Sequence, residues 1–163
     1  MTQIKKYPFI YDLFAGFLTF TILILSNVLS RGENPYLKIS GVIILVFTAL
    51  FWILPFIHLK KYGEVEKGHP YYDTNCIANR GIYRLVRHPQ YLAYILLVIG
   101  FTLISQNWII MIIAVITISL FYYHTLLEEK VLKDKFQKEY IAYCHNVPRF
   151  NIILGIISRL RSK

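Results

Sequence analysis

The residues best suited to chemistry fall in two short stretches of the 163-residue chain: Arg87-His88-Pro89-Gln90-Tyr91, and His124 followed by Glu128-Glu129. Proline at 89 keeps His88 out of the α region and is itself suited to the first position of a helix. Arg87 and His88 therefore sit where an apolar helix begins, and the unpaired N–H groups and positive dipole end of that helix favour an anion. Glu128 and Glu129 close the last apolar stretch. Two carboxylates at a helix C-terminus oppose the macrodipole, so helix stability does not account for them. A basic helix start and a carboxylate returning to the same membrane face suit a zwitterion, with its anionic end at the helix start and its cationic end at Glu128. His124 precedes Glu128 by one helical turn, on the same face. An ionisable side chain this close to a membrane is a functional candidate. Plainer explanations stand beside each feature: Arg87 as a lipid head-group anchor, the acid pair as solvated interfacial charge, and His124 as a snorkelling interfacial histidine.

Other chemistries find little footing. His58, His69, Cys76, His88 and Cys144 show no metal-ligand spacing of a known type. There is no glycine-rich phosphate loop, since Gly63 and Gly68 stand alone, and no Ser/His/Asp order. Two cysteines make no disulfide scaffold.

The elements that must position these residues follow from composition. Apolar residues make up 56% of the chain and charged residues 17%, with a mean hydropathy of +0.47. A water-exposed surface needs more polar groups than that, and 26 aromatics exclude disorder. The chain reads as an all-α integral membrane bundle. Its first apolar run, Pro8–Leu29, carries Asp12 as its only charge, and its length of roughly 33 Å crosses a hydrocarbon core. A cleaved signal peptide fits less well, because no small-x-small site follows Leu29. The second run is Ile39–Leu59, with Pro55 expected to kink or end it. Residues 60–88 form a polar loop. The next apolar stretch, Pro89–Leu127, would be about 58 Å long as one helix, so it must fold back at Ser105-Gln106-Asn107. The expected spans are 8–29, 39–59, 89–105 and 108–127, the last two a tight hairpin, within a single domain of residues 1–163. Residues 128–145 repeat Leu132, Phe136, Tyr140 and Tyr143 at helical spacing, and are expected to form an amphipathic interfacial helix.

With the N-terminus inside, two Lys/Arg at the start, six in the loop and eight after residue 128 face the cytoplasm, which leaves only Arg31 and Lys38 outside. That asymmetry places both termini in the cytoplasm. It also accounts for the net charge of +9 without a nucleic-acid partner.

The stretch Arg80-Gly81-Ile82-Tyr83-Arg84-Leu85-Val86-Arg87-His88-Pro89-Gln90-Tyr91 resembles the G-x-Y-x-x-x-R-H-P-x-Y signature of the isoprenylcysteine carboxyl methyltransferases, whose wider group includes membrane phospholipid methyltransferases. Glu128-Glu129, Phe136, Glu139-Tyr140, Tyr143 and Val147-Pro148-Arg149 are similar to that family's ending, one helical hairpin downstream. The resemblance covers roughly residues 75–150. It implies S-adenosylmethionine as cofactor, no metal, and methyl transfer to a lipophilic small-molecule or lipid acceptor at the cytoplasmic membrane face. By position it implies cofactor contacts at Asn75, Cys76, Ile77 and Ala78, then Tyr83, then His88, Pro89, Gln90 and Tyr91, with Glu128 on the methionine ammonium. Arg87 is expected to orient the loop or the carboxylate.

Three positions depart from the pattern. His124 stands where family members carry an arginine that faces the acceptor carboxylate, Gln137 stands where glycine is usual, and Asn75 replaces an early histidine. An imidazole holds a carboxylate less firmly than a guanidinium fork. His124 could instead act as a base for a phenol, enol, amine or thiol acceptor. The alternatives to prenylcysteine-type methylation are methylation of an ethanolamine head group, and a non-catalytic carrier or assembly protein. Transport fits less well, since no ionisable residue lies near the centre of a span.

Overall fold

The computed structural model describes residues 9–30, 32–62 and 74–161, and every regular element among them is helical. The order is α1 Phe9–Val28, α2 Pro35–Tyr62, a 3-10 turn Gly81–Arg84, α3 Pro89–Ser105, α4 Trp108–Asn146 and α5 Ile152–Arg161. Pro8, Lys5, Lys6, Arg31 and positions 63–73 of the expected loop, with Gly63, Gly68 and His69, lie outside the described residues. α1, α2 and α4 are each long and apolar enough to cross a membrane. α3 has 17 residues, or roughly 26 Å against a ~30 Å hydrocarbon core. Phe14, Phe17 and Phe20 of α1 and Val46, Phe47 and Leu50 of α2 are each at least 50% exposed. Such contiguous apolar surface costs about 25 cal/mol per Å² in water and nothing in hydrocarbon.

Two boundaries differ from the sequence expectation. α2 runs through Pro55 to Tyr62 rather than ending near it. α4 joins the expected span and the amphipathic segment into one element. Nothing between Leu127 and Phe136 breaks a helix: Leu, Glu and Lys are strong helix formers, and there is no glycine or proline. The lipid-to-water change in composition is thus not a change in backbone. The break comes at Gln137, with φ 46° and ψ −123°. This left-handed conformation favours glycine, the usual residue of the resembled pattern at that position.

The packing divides into two compact units, Met1–Ala49 with Ala93–Glu128, and Leu50–Leu92 with Glu129–Lys163. In the first, Ile22 of α1, Val98 of α3 and Ile110 and Ala114 of α4 form a buried core. α2 and α3 approach backbone to backbone, since a Cβ at Gly41 would lie 2.7 Å from the Gly100 carbonyl oxygen. The turn expected at residues 105–107 is present, and its side chains tie it to the α1–α2 turn. Asn107 Nδ2 donates to Leu29 O (3.0 Å), and Gln106 Nε2 donates to Asn34 O (2.8 Å). Asn34 caps α2 by accepting from the Tyr36 N–H at 2.9 Å, with Pro35 at the first helical position.

In the second unit, Gly81 adopts φ +61°, and a Cβ there would fall 2.7 Å from the His58 ring. The glycine of the signature is therefore required by both backbone angle and space. Tyr143 Oη donates to Tyr83 O at 2.5 Å. Burial pushes the Tyr143 phenol up, which keeps it a neutral donor.

Candidate functional site

In the second unit the R-H-P loop is fixed by the segment that follows α4. Arg87 N donates to Pro148 O at 3.0 Å and His88 N to Arg149 O at 3.3 Å. Pro89 then opens α3 and puts His88 immediately before its first turn, as the sequence requires. Glu129 is the centre of the side-chain arrangement. Arg149 binds it bidentately, Nε to Oε1 at 2.9 Å and Nη2 to Oε2 at 2.7 Å. Arg87 reaches Oε1 through Nε at 3.1 Å and Nη2 at 3.0 Å, and His88 Nε2 lies 3.2 Å from the same oxygen. The Arg87 Nη1 group donates to Cys144 O (2.7 Å) and Val147 O (2.9 Å).

Glu129 and His88 are buried, with side chains 5% and 4% exposed. Burial pushes the Glu129 carboxyl up, but hydrogen bonds from Arg149 and His88 and the Arg87 charge outweigh it and hold the group well below the usual carboxylate range. Two guanidinium groups and an imidazole on one carboxylate make a charged clamp that gives the R-H-P loop a single geometry. Burial also pushes the Cys144 thiol up, against the lowering effect of the Arg87 charge.

The same unit carries most of the other residues that the resemblance implies. Asn75, Cys76, Ile77 and Ala78 precede the 3-10 turn, and Cys76 Sγ donates to Tyr62 O at 3.3 Å. The turn holds Tyr83, and the first residues of α3 are Pro89, Gln90 and Tyr91, with the Tyr91 ring edge-on to His88 at 6.0 Å. A cleft of about 590 Å³ is lined by Ile77, Asn79, Arg84, Glu139 and Tyr143 among others, and of the implied cofactor contacts it includes Ile77. Among the described residues, no group of three or more His, Cys, Asp or Glu could hold a metal ion.

The first unit carries His124 and Glu128, one turn apart on α4. His124 is 3% exposed, and its Nδ1 lies 3.4 Å from Asp12 Oδ1 of α1. Sequence reasoning had His124 and Glu128 but not the Asp12 partner, although Asp12 stood out as the only charge in its span. It also passed over Arg149 and the structural role of Glu129. The signal was there in the paired glutamates and in the arginine after Val147-Pro148, but no spacing rule connects residues 87, 129 and 149.

Among the described residues every regular element is helical, three apolar helices are long enough to cross a membrane, and a clamped R-H-P loop stands at the head of a further apolar helix, which together mark a helical membrane protein. It belongs to the phospholipid methyltransferase family, whose profile matches residues 36–139, and this makes it a membrane methyltransferase. No curated protein and no solved structure matches it.

Proposed function

We propose that the chain transfers the methyl group of S-adenosylmethionine to the amine of a lipid head group at the cytoplasmic membrane face. The observation that carries this is His124, a buried imidazole where the resembled carboxyl methyltransferases have an arginine. A carboxylate acceptor needs a fixed cation and no base. An amine acceptor arrives protonated and must lose that proton before its lone pair can react, which a histidine can accept near neutral pH. The name of the matched family points the same way.

The donor set fits the cofactor. A methionine end carries one carboxylate and one ammonium. Glu129 is committed to the clamp, so of the two glutamates Glu128 is the one left for the ammonium, as the resemblance implies. When bound, S-adenosylmethionine supplies a methyl group already activated by its sulfonium, so the protein need not build an electrophile. What the chain adds is position, with the reacting atoms held at about 3–3.5 Å, and the exclusion of water by apolar helices. Arg87 is a positioning residue here, since its guanidinium holds Glu129 and two carbonyls of the 144–147 turn. The orientation with both termini and the 60–88 loop in the cytoplasm, and four passes, belongs to the same proposal.

Carboxyl methylation of a prenylcysteine is the second reading, on the strength of the R-H-P-x-Y signature. Incubating purified protein with methyl-labelled S-adenosylmethionine and either a membrane lipid extract or a farnesylcysteine acceptor separates the two. Label that stays on an aminolipid after mild base supports N-methylation. Label released by base as methanol marks a methyl ester and installs the second reading.

A further inference from the structure

We infer that Asp12 is a positioning residue for the methyl-transfer reaction. Its carboxylate holds the His124 imidazole with the proton on Nδ1, so that Nε2 is the nitrogen that takes the acceptor's proton. This rests on the base reading of His124 given above.

Four observations converge on it. His124 Nδ1 lies 3.4 Å from Asp12 Oδ1, and the histidine is 3% exposed while the aspartate is 45% exposed. Tyr11 and Tyr123, the immediate neighbours of these two residues, meet edge to face with ring centroids 5.5 Å apart and an interplanar angle of 70°. That contact ties the same turn of α1 to the same turn of α4, so the approach of Asp12 to His124 is part of the helix packing. Asp12 is also the only charge in an apolar span, where a carboxylate is costly and tends to mark function. A place in the first turn of α1 makes an acid welcome there through the helix dipole, but it does not require an imidazole opposite. Finally, Asp12 lies outside residues 36–139, so the matched family profile does not supply it.

The chemistry follows from the two nitrogens of the ring. A neutral imidazole has one donor and one acceptor nitrogen, and the partner of the first sets which is which. With the Asp12 carboxylate beside Nδ1, the proton is favoured on that nitrogen and Nε2 carries the lone pair. The acceptor X–H gives its proton to Nε2, and its freed pair forms the X–CH₃ bond. The S–CH₃ bond breaks, and its electron pair goes to sulfur. His124 is left as an imidazolium, and the carboxylate at Nδ1 compensates that charge in its buried position. At 3.4 Å the contact is an ion-pair approach without hydrogen-bond geometry, and catalytic contacts of this kind tighten into hydrogen bonds when charge develops. Glu128, one turn along α4, is the second carboxylate on the face of His124.

The test has one readout that needs no ligand. Protein labelled with ¹⁵N-histidine is placed in lipid nanodiscs, and the tautomer of each ring is read from two-bond ¹⁵N–¹H correlations, with His124→Gln assigning the signal. The wild type is expected to show His124 protonated at Nδ1. Asp12→Asn should move the proton toward Nε2. It should also lower the turnover of methyl-labelled S-adenosylmethionine with lipid extract by about 10- to 100-fold, part of the roughly 10²–10⁴ that a positioned general base contributes, with KM for the cofactor within about two-fold. Asp12→Glu, which keeps a carboxylate, should restore part of the rate. If Asp12→Asn does not fold, Asp12→Ser gives the same reading. An unchanged tautomer or an unchanged rate in the Asn or Ser variant overturns the role of Asp12. Full activity in His124→Gln overturns it through the base reading instead, whatever the tautomer shows.

Discussion

Replacing Arg149 with methionine removes the bidentate half of the Glu129 clamp while keeping an unbranched apolar stem. In the wild type Arg149 contacts both carboxylate oxygens, at 2.9 and 2.7 Å, whereas Arg87 and His88 meet Oε1. The change therefore strips Oε2 of its arginine and leaves a 5%-exposed carboxylate half-compensated. Breaking a buried ion pair costs about 3–5 kcal/mol. The lower end applies, because Arg87 and His88 remain and the Arg149 side chain is 21% exposed. A loss of about 3 kcal/mol corresponds to a fall in Tm of about 6–12 °C for a chain of this size. Thermal unfolding of the purified protein in detergent measures it. Glu129→Gln should cost at least as much, since it leaves two guanidinium groups facing a neutral amide. The clamp also has a pH signature. The Glu129 carboxyl is held below its ordinary value of 4.5, so its stabilisation is fully present above that pH and is lost as pH falls through the lower folded value. Wild type and Glu129→Gln should differ by a constant amount from pH 8 to 5 and converge only in stronger acid. A Tm change below about 2 °C for Arg149→Met, or convergence already near pH 6, would refute the clamp as a source of stability.

Gln137→Gly places glycine at φ 46° and should stabilise the protein by about 1–2 kcal/mol, read as a rise in Tm, with no change in cofactor affinity. Glu128→Gln keeps shape but removes the charge assigned to the methionine ammonium, and calorimetry should show S-adenosylmethionine affinity lowered by about 10- to 150-fold. With Cys76 and Cys144 replaced by serine, an impermeant thiol reagent added to intact cells should label a cysteine at Asn34 and spare one at Asn79. The reverse pattern would invert the topology.

Much of the architecture was legible in the sequence because a bilayer leaves few options. Long apolar runs without charge must be helices, and a 39-residue run such as Pro89–Leu127 must turn where its only polar cluster falls. α3 begins at Pro89 and ends at Ser105 accordingly. The placing of the R-H-P loop at the head of α3 was legible too, since proline fixes a helix start. Two boundaries were less so. α2 passes through Pro55, and α4 runs on to Gln137, because tertiary packing and strong local helix formers outweigh a proline or a change in polarity.

Partnership was decided only in three dimensions. Nothing in the order of residues 87, 88, 129 and 149 says that two arginines and a histidine converge on the second of two glutamates rather than the first. That choice depends on the rotation of α4 and on where the 147–149 segment returns, and one residue along a helix turns a side chain by about 100°. The same holds for Asp12 and His124, which are 112 positions apart and adjacent only because α1 packs against α4 at Tyr11 and Tyr123. Composition and periodicity fix which residues must face lipid. Long-range contacts, whose cost is chain entropy and whose return is packing, decide which charged groups meet.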